Sequence, residues 1–216
     1  ALTRRTGLSR ATMGERLELL FQAGLIREGE LAKPAGGRPS RVLGLDPARY
    51  VVLAADVGED HVRLLLTDLT GAVVAERLGS MPVSAGAEAV LGWVTSTGEQ
   101  LLADAHRSPD DLLGVGLSVP ALVDHARGRV TSPSVMEGWD GHDIEQLVRR
   151  ALDVPTVVEN DVNARGYAEH LRDWRAYDDV LYVKAGTGIG SAIISSGSLF
   201  RGAKGAAGDI GHVRLR

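Results

Sequence analysis

Two stretches of the sequence share one pattern and decide the fold. The first reads Val52-Leu53-Ala54-Ala55-Asp56-Val57-Gly58 and is followed by Val62-Arg63-Leu64-Leu65-Leu66. The second begins 128 residues later, reads Val180-Leu181-Tyr182-Val183-Lys184-Ala185-Gly186, and is followed by Gly190-Ser191-Ala192-Ile193-Ile194. Each predicts a strand, a glycine-bearing turn and a second strand. A duplicated hairpin that opens two α/β halves indicates a two-lobed protein with a ligand cleft between the lobes.

The residues around the two hairpins predict a mixed α/β sheet. Three antiparallel strands are expected at 50–56, 62–68 and 73–78, separated by turn signals. Alternating helices and strands then follow, with helices at about 85–105, 143–152 and 162–170 and strands at 113–119 and 156–159. Antiparallel strands followed by this alternation are typical of an α/β domain.

Composition and charge exclude several classes of protein. The 216 residues are 44% hydrophobic and 24% charged, as in ordinary globular proteins. Without an apolar run of membrane-spanning length or a signal peptide, we expect a cytoplasmic protein with no membrane partner. The absence of cysteine excludes disulfides and thiol catalysis within this sequence. Residues 1–45 carry eight basic and four acidic side chains, whereas the remainder carries 16 and 24, which indicates a polyanion-binding head or an unevenly charged solvated surface.

The basic head has the pattern of a winged helix-turn-helix, assigned to residues 1–46. A helix ends near Gly7, Ser9 suits an N-cap, and a second helix is expected over 10–23, closed by Gly24. Two short strands at 25–28 and 41–45 flank a basic Gly/Pro-rich tip. Since a winged helix needs a supporting helix before the turn, we expect a first helix outside this sequence. A small domain for protein contacts is the alternative.

In such a module the start of the second helix reads bases in the major groove of double-stranded operator DNA. The candidate DNA-contacting residues are Ser9, Arg10, Thr12, Met13 and Arg38. Arg10 can pair bidentately with guanine, and Arg38, between Gly37 and Pro39, can enter the minor groove.

Three motifs of the body have the chemistry of a ligand site. Gly186-Thr187-Gly188 exposes backbone amides to an anion such as phosphate, although a plain turn has the same pattern. Asp161 follows Asn160 at a strand end, where it can act as a base toward a sugar hydroxyl or simply cap the next helix. Asp209 and His212 lie three residues apart in a Gly-rich loop, where both can bind sugar hydroxyls and His212 can bind a metal.

The order of these motifs resembles the ROK family of repressors, open reading frames and sugar kinases. The motifs are the winged helix, Gly37-Arg38-Pro39, Asp56-Val57-Gly58, Gly116-Leu117-Ser118-Val119-Pro120, Ser132-Pro133 with Gly138-Trp139, Glu159-Asn160-Asp161-Val162-Asn163-Ala164, Gly186-Thr187-Gly188-Ile189-Gly190, and Gly205 through His212. The resemblance covers essentially the whole sequence. Because the kinases lack a winged helix, it is to the regulator branch, which includes xylose and N-acetylglucosamine repressors.

The resemblance implies an actin/hexokinase-like (ribonuclease H-like) two-lobed sugar-kinase fold over residues 47–216, with an incomplete second lobe. It also implies a sugar or sugar derivative as effector and a homodimer or tetramer. The sugar would contact Asn160, Asp161, Asp209 and His212, with Asp161 as the catalytic base if kinase activity survives. Zinc is implied for the complete protein, with His212 as one ligand beside cysteines beyond this sequence.

Two departures from the family pattern bear on function. The kinase phosphate loop, Asp-x-Gly-Gly-Thr, is here Asp56-Val57-Gly58-Glu59-Asp60, whose acidic residues would repel nucleotide phosphates. ATP is therefore not expected to bind. Asp209 replaces the family glutamate and has a shorter reach. We expect a sugar-responsive repressor of carbohydrate-metabolism genes. The alternatives are a sugar kinase that keeps a DNA-binding appendage and a dimerisation scaffold without a ligand.

Overall fold

A computed structural model describes residues 2–31, 41–131, 136–186 and 188–211. The head contains two helices and a hairpin, namely α1 (Leu2–Thr6), α2 (Arg10–Gln22), β1 (Ile26–Leu31) and β2 (Arg41–Leu45). Ser9 is the N-cap of α2, as predicted, since its side chain accepts a hydrogen bond from the Thr12 N–H. Gly24 ends the helix with a φ of +68°, in the left-handed region that favours glycine. The tip between the two strands, with Arg38, lies outside the described residues.

A five-stranded mixed sheet, here called the first sheet, forms the centre of the body. Its order is β5-β4-β3-β6-β9, with β3 antiparallel to β4 and parallel to β6. The strands are β3 (Val51–Val57), β4 (Val62–Asp68), β5 (Val73–Gly79), β6 (Leu112–Val119) and β9 (Thr156–Asn160). The predicted meander and alternation are confirmed, with bounds within about two residues of those expected.

Two helices cover the apolar face of the first sheet. They are α3 (Ala87–Asp104) and α4 (Ile144–Leu152). Alternate residues of β3 are buried, and α3 approaches that strand closely at Gly98, where a Cβ atom would lie 2.7 Å from a Leu53 methyl carbon. The core also contains the fully buried Trp139, whose Nε1 donates to the Val83 carbonyl at 2.8 Å. This packing fixes the strand ends that form the site.

A second, three-stranded sheet follows helix α5 (Asp161–Asp173). It contains β10 (Val180–Ala185), β11 (Ile189–Ser195) and β12 (Ser198–Leu199), all antiparallel, so the predicted second hairpin is confirmed. Helix α5 packs on it at Gly166, where a Cβ atom would lie 2.6 Å from the Ala192 methyl group. Residues 200–211 then return toward the first sheet.

Two features differ from the prediction. A hairpin of β7 (Leu122–Asp124) and β8 (Arg129–Thr131) occupies a stretch for which no strand was predicted, because three-residue strands show no clear alternation. The helical spacing of Met13, Leu17, Leu20 and Phe21 predicts an apolar face on α2, yet Leu20 is 37% exposed. Within the described residues, no helix combines the length and the apolar character that crossing a membrane requires.

Candidate functional site

The end of β9 places Asn160 and Asp161 at the mouth of a cleft. Asn160 is the N-cap of α5, because its Oδ1 accepts from the Val162 and Asn163 N–H groups at 3.0 and 3.1 Å. Its Nδ2 donates to the Ala121 carbonyl at 3.1 Å, which fixes the side chain. Asp161 is the first residue of the helix. The alternative in which Asp161 is merely the helix cap is therefore wrong.

The carboxylate of Asp161 forms an ion pair across the cleft. Its Oδ2 lies 2.7 Å from Nζ of Lys184 on β10, and the two side chains are 13% and 31% exposed. The pair joins the end of the first sheet to the second sheet. Sequence reasoning missed Lys184, because the side chain lies 23 residues away in an otherwise ordinary strand.

The cleft brings together predicted residues from both sheets. It encloses about 550 Å³ and is lined by Asn160, Asp161 and Asn163 on one side and by Lys184, Gly188 and Asp209 on the other. Gly208 lets the loop before Asp209 approach β11, where its carbonyl accepts from the Ser191 N–H at 3.1 Å and from the Ser191 hydroxyl at 2.7 Å. His212 and Thr187 lie outside the described residues.

The predicted first phosphate loop is filled by its own side chains. Gly58 donates its N–H to the His61 carbonyl at 2.8 Å, and a Cβ atom on Gly58 would lie 2.6 Å from the His61 ring. The His61 Nδ1 atom is 2.6 Å from the Asp60 carboxylate, and that hydrogen bond lowers the pKa of Asp60. Glu59 lines the cleft, whereas Asp56 and Gly58 do not.

The side chain of Asp56 already has two partners. Its Oδ1 accepts from the Ser118 hydroxyl at 2.6 Å, and its Oδ2 accepts from Nη2 of Arg165 at 3.2 Å. Arg165 belongs to α5, so this ion pair joins that helix to the end of β3. Two donors therefore hold the Asp56 carboxylate, and it links α5 to the end of β3.

In the second predicted phosphate loop, Gly186 donates its N–H to the Gly188 carbonyl at 3.0 Å. Gly188 lines the cleft and Gly186 does not. Among the described residues, no three His, Asp or Glu side chains lie close enough together to hold a metal ion. The zinc site remains a prediction, since His212 lies outside that part of the chain.

Four of the five candidate DNA-contacting residues lie at the start of α2, and Arg38 lies outside the described residues. Ser9 and Arg10 are exposed, whereas Thr12 and Met13 are partly buried. The Ser9 and Thr12 hydroxyl oxygens are 2.9 Å apart, so each hydroxyl stabilises this turn of helix. Arg10 therefore projects from a well-capped helix terminus.

The head joins the body through Arg49. Its side chain packs against Gly24, where a Cβ atom would lie 2.9 Å from Arg49 Cγ. Its Nη1 lies 2.5 Å from the Asp111 carboxylate of the body. The Ser108 N–H and Arg49 donate to that carboxylate and lower the pKa of Asp111. The contact gives the end of α2 a direct link to the body.

Comparisons with known proteins agree with this architecture. The chain is 27% identical over 209 residues to a xylose repressor of Caldicellulosiruptor bescii, covering 96% of this chain and 52% of that protein. It matches the crystal structure of a ROK family transcriptional regulator, a homologue of the Escherichia coli Mlc protein, with a TM-score of 0.81 and 21% identity, over 100% of this chain and 54% of that one.

The match extends to a sugar kinase of the same fold. A ROK family glucokinase from Streptomyces griseus, in complex with glucose and AMPPNP, matches with a TM-score of 0.63 and 25% identity over 77% of this chain and 51% of that one. The chain spans about half the length of the curated relatives it matches. The family model for ROK matches residues 52–216, and the chain therefore belongs to the ROK family.

Proposed function

We propose that this chain carries the DNA-binding head and the effector cleft of a sugar-responsive transcriptional repressor of carbohydrate-metabolism genes. One observation carries the proposal: an exposed arginine at a capped helix terminus is joined, through Arg49, to a body whose cleft brings Asn160, Asp161 and Asp209 together. The similarity to xylose repressors over nearly the whole chain supports the same function.

The order of elements in the head supports the proposal that it is a winged helix-turn-helix. Helix α1, the Gly7 turn, α2 and the β1–β2 hairpin follow one another as they do in that module. Helix α2 would enter the major groove, with Arg10 on a base edge and Ser9, Thr12 and Met13 beside it. Arg38 would reach the minor groove from the hairpin tip, where an extended arginine gains from the concentrated negative potential.

The cleft suits a small polyhydroxylated ligand. Its volume of about 550 Å³ falls within the range of small-molecule sites. The carboxylates of Asp161 and Asp209 can accept hydrogen bonds from hydroxyl groups, and both bonds would be charge-assisted. His212 is proposed to complete the site from the Asp209 loop.

Sugar binding would alter DNA affinity by favouring one of two conformations of a dimer. Its two heads would bind half-sites separated by one helical turn, so a small change in their spacing weakens operator binding. The contact of Arg49 with Gly24 and Asp111 supplies the link through which the body would act on α2.

A sugar kinase is the second candidate, favoured by Asp161 at the cleft mouth. In that reaction Asp161 would accept the proton of the sugar hydroxyl as the hydroxyl oxygen bonds the γ-phosphorus of ATP, whose bond to the bridging oxygen breaks so that ADP leaves. The filled Gly58 turn opposes ATP binding, and the acidic Glu59 and Asp60 beside it would repel nucleotide phosphates. ADP formation from ATP and a sugar panel, at ordinary kinase rates, would favour the kinase over a repressor without catalysis.

The DNA-binding part is tested with the full-length protein. Selection from random duplexes should yield a two-fold symmetric operator, and fluorescence anisotropy should then give its affinity. Arg10→Ala should weaken operator binding by about 1–3 kcal/mol while affecting random DNA less. Arg16→Ala removes the same charge two turns along α2 and serves as the control. Equal losses on operator and random DNA for Arg10→Ala would contradict base recognition by this residue.

A further inference from the structure

Glu159 lies at the centre of a polar network beneath the cleft. Its side chain is 12% exposed. Its Oε1 accepts from the Asn160 N–H at 2.9 Å and from Asn163 Nδ2 at 3.1 Å, and its Oε2 accepts from Arg201 Nε at 2.8 Å. The carboxylate thus contacts the N-cap of α5, a residue of the first turn of that helix and Arg201, which follows the second sheet.

His125 completes the network from the β7–β8 turn. Its Nε2 is 3.0 Å from Glu159 Oε1 and 3.0 Å from Arg201 Nε. Because the arginine Nε carries one hydrogen, we assign it to the shorter, charge-assisted bond with the carboxylate. His125 Nε2 then carries a hydrogen and donates it to Glu159 Oε1.

Arg201 begins the loop that carries Asp209 into the cleft. The Arg201 carbonyl accepts a hydrogen bond from the Ala207 N–H at 3.1 Å, and this bond brings the two ends of the 201–207 segment together. Gly205 lies directly against the Val123 carbonyl of β7, where a Cβ atom would overlap the oxygen. The loop is therefore held against the first-sheet side at two points, the Gly205 backbone and the Arg201 side chain.

Both walls of the cleft contact one partly buried carboxylate, that of Glu159. Glu159 orients Asn160 and Asn163 on one wall, and through Arg201 it holds the loop of the other. Neither Glu159 nor Arg201 is among the residues that line the cleft. Both act on a ligand only through the residues that they hold.

We infer that Glu159 and Arg201 are a positioning pair that sets the distance between the Asn160–Asp161 wall and the Asp209 loop, and that sugar affinity depends on this pair. The inference rests on the proposed effector cleft. Residues in one hydrogen-bonded network commonly show coupling, and the measured couplings correspond to about 2- to 150-fold in an equilibrium constant.

The test is a double-mutant cycle on sugar affinity, measured by calorimetry on the full-length protein. The sugar that binds the wild-type protein is identified first. Arg201→Gln and Glu159→Gln should each weaken binding about tenfold, and the double variant should be no weaker than the weaker single variant. Arg201→Lys should restore part of the loss. Arg127→Gln, which breaks an ion pair with Asp124 on the same hairpin as His125, should leave affinity unchanged. Additive losses, or an equal loss from Arg127→Gln, would overturn the inference.

A second measurement separates this inference from the proposed function. If no sugar binds the wild type, the effector proposal fails, and amide hydrogen exchange still reports on the pair. Arg201→Gln should speed exchange at Ala207 and Asp209, whose N–H groups donate within the loop, and Arg127→Gln should not. Unchanged exchange in Arg201→Gln would show that the loop is held without the ion pair.

Discussion

Asp161→Asn tests the cleft most sharply, because the substitution removes the charge, and with it the ion pair to Lys184, while it keeps the size of the side chain. Asn160, not Asp161, caps α5, so the cap is retained. An asparagine carbonyl can still accept from Lys184 Nζ, now 2.7 Å from Asp161 Oδ2. What the variant loses is a carboxylate of which only 13% is exposed, facing the cleft.

The size of the loss follows from the kind of hydrogen bond removed. A bond from a sugar hydroxyl to a carboxylate contributes about 1.5–3 kcal/mol, against about 1 kcal/mol for a neutral pair. Because asparagine keeps a neutral acceptor, sugar affinity should fall by the difference, about 0.5–2 kcal/mol or roughly 2- to 30-fold. Most of the folding stability and the DNA affinity of the sugar-free protein should be retained. Calorimetric titration measures the sugar affinity, and fluorescence anisotropy with operator DNA measures the DNA affinity.

The control variant is Asp179→Asn. Asp179 also carries a charge, accepts from the Ser195 hydroxyl at 2.8 Å and does not line the cleft, so its loss should leave sugar affinity unchanged. Lys184→Met separates the ion pair from the sugar contact, because it releases Asp161 without discharging it. If Asp161→Asn binds the sugar as tightly as wild type, the reasoning that makes Asp161 a ligand residue is refuted.

Three further predictions concern stability. Asn160→Ala should lower the free energy of unfolding by about 0.5–2 kcal/mol in urea titrations, because α5 loses its cap; an unchanged midpoint would contradict that role. Gly24→Ala should destabilise the head by about 1 kcal/mol or more in the same assay, since φ is +68° and the new Cβ would press on Arg49; a neutral effect would count against this junction. The pKa of Asp111 is lowered in the folded protein, so Asp111 stabilises the fold above its unfolded pKa of about 3.9. That contribution to the free energy of unfolding is lost as the pH falls through the lower folded value. Asp111→Asn should therefore make the free energy of unfolding less dependent on pH in the acid range.

The sequence was sufficient to predict the main strands and helices of the body. Turn residues and apolar runs mark β3, β4 and β6 to within about two residues, because local patterning specifies them. The Asn160–Asp161 strand end and the Asp209 loop were also predicted to share a cleft, and both line it. The β7–β8 hairpin was missed because three residues are too few for an alternation to be recognised.

The contacts that control the site were not predictable from local patterns. Lys184 pairs with Asp161 from 23 residues away, Arg165 with Asp56 from 109, and Arg201 with Glu159 from 42. Each partner is an ordinary charged residue in its own helix, strand or loop. Only the way the sheets and α5 pack together gives these side chains their partners, and no spacing rule encodes that packing.

The central claim is that one protein binds operator DNA through its head and a sugar through its cleft, and that sugar binding weakens DNA binding. The most direct measurement is the anisotropy of a labelled operator bound to the full-length protein during titration with sugars. We predict that one sugar releases the DNA, that Arg10→Ala weakens operator binding while sugar binding persists, and that Asp161→Asn keeps the DNA signal but shifts release to higher sugar concentration. Binding without sequence preference that no sugar alters, accompanied by steady ADP formation from ATP and sugar, would contradict the account.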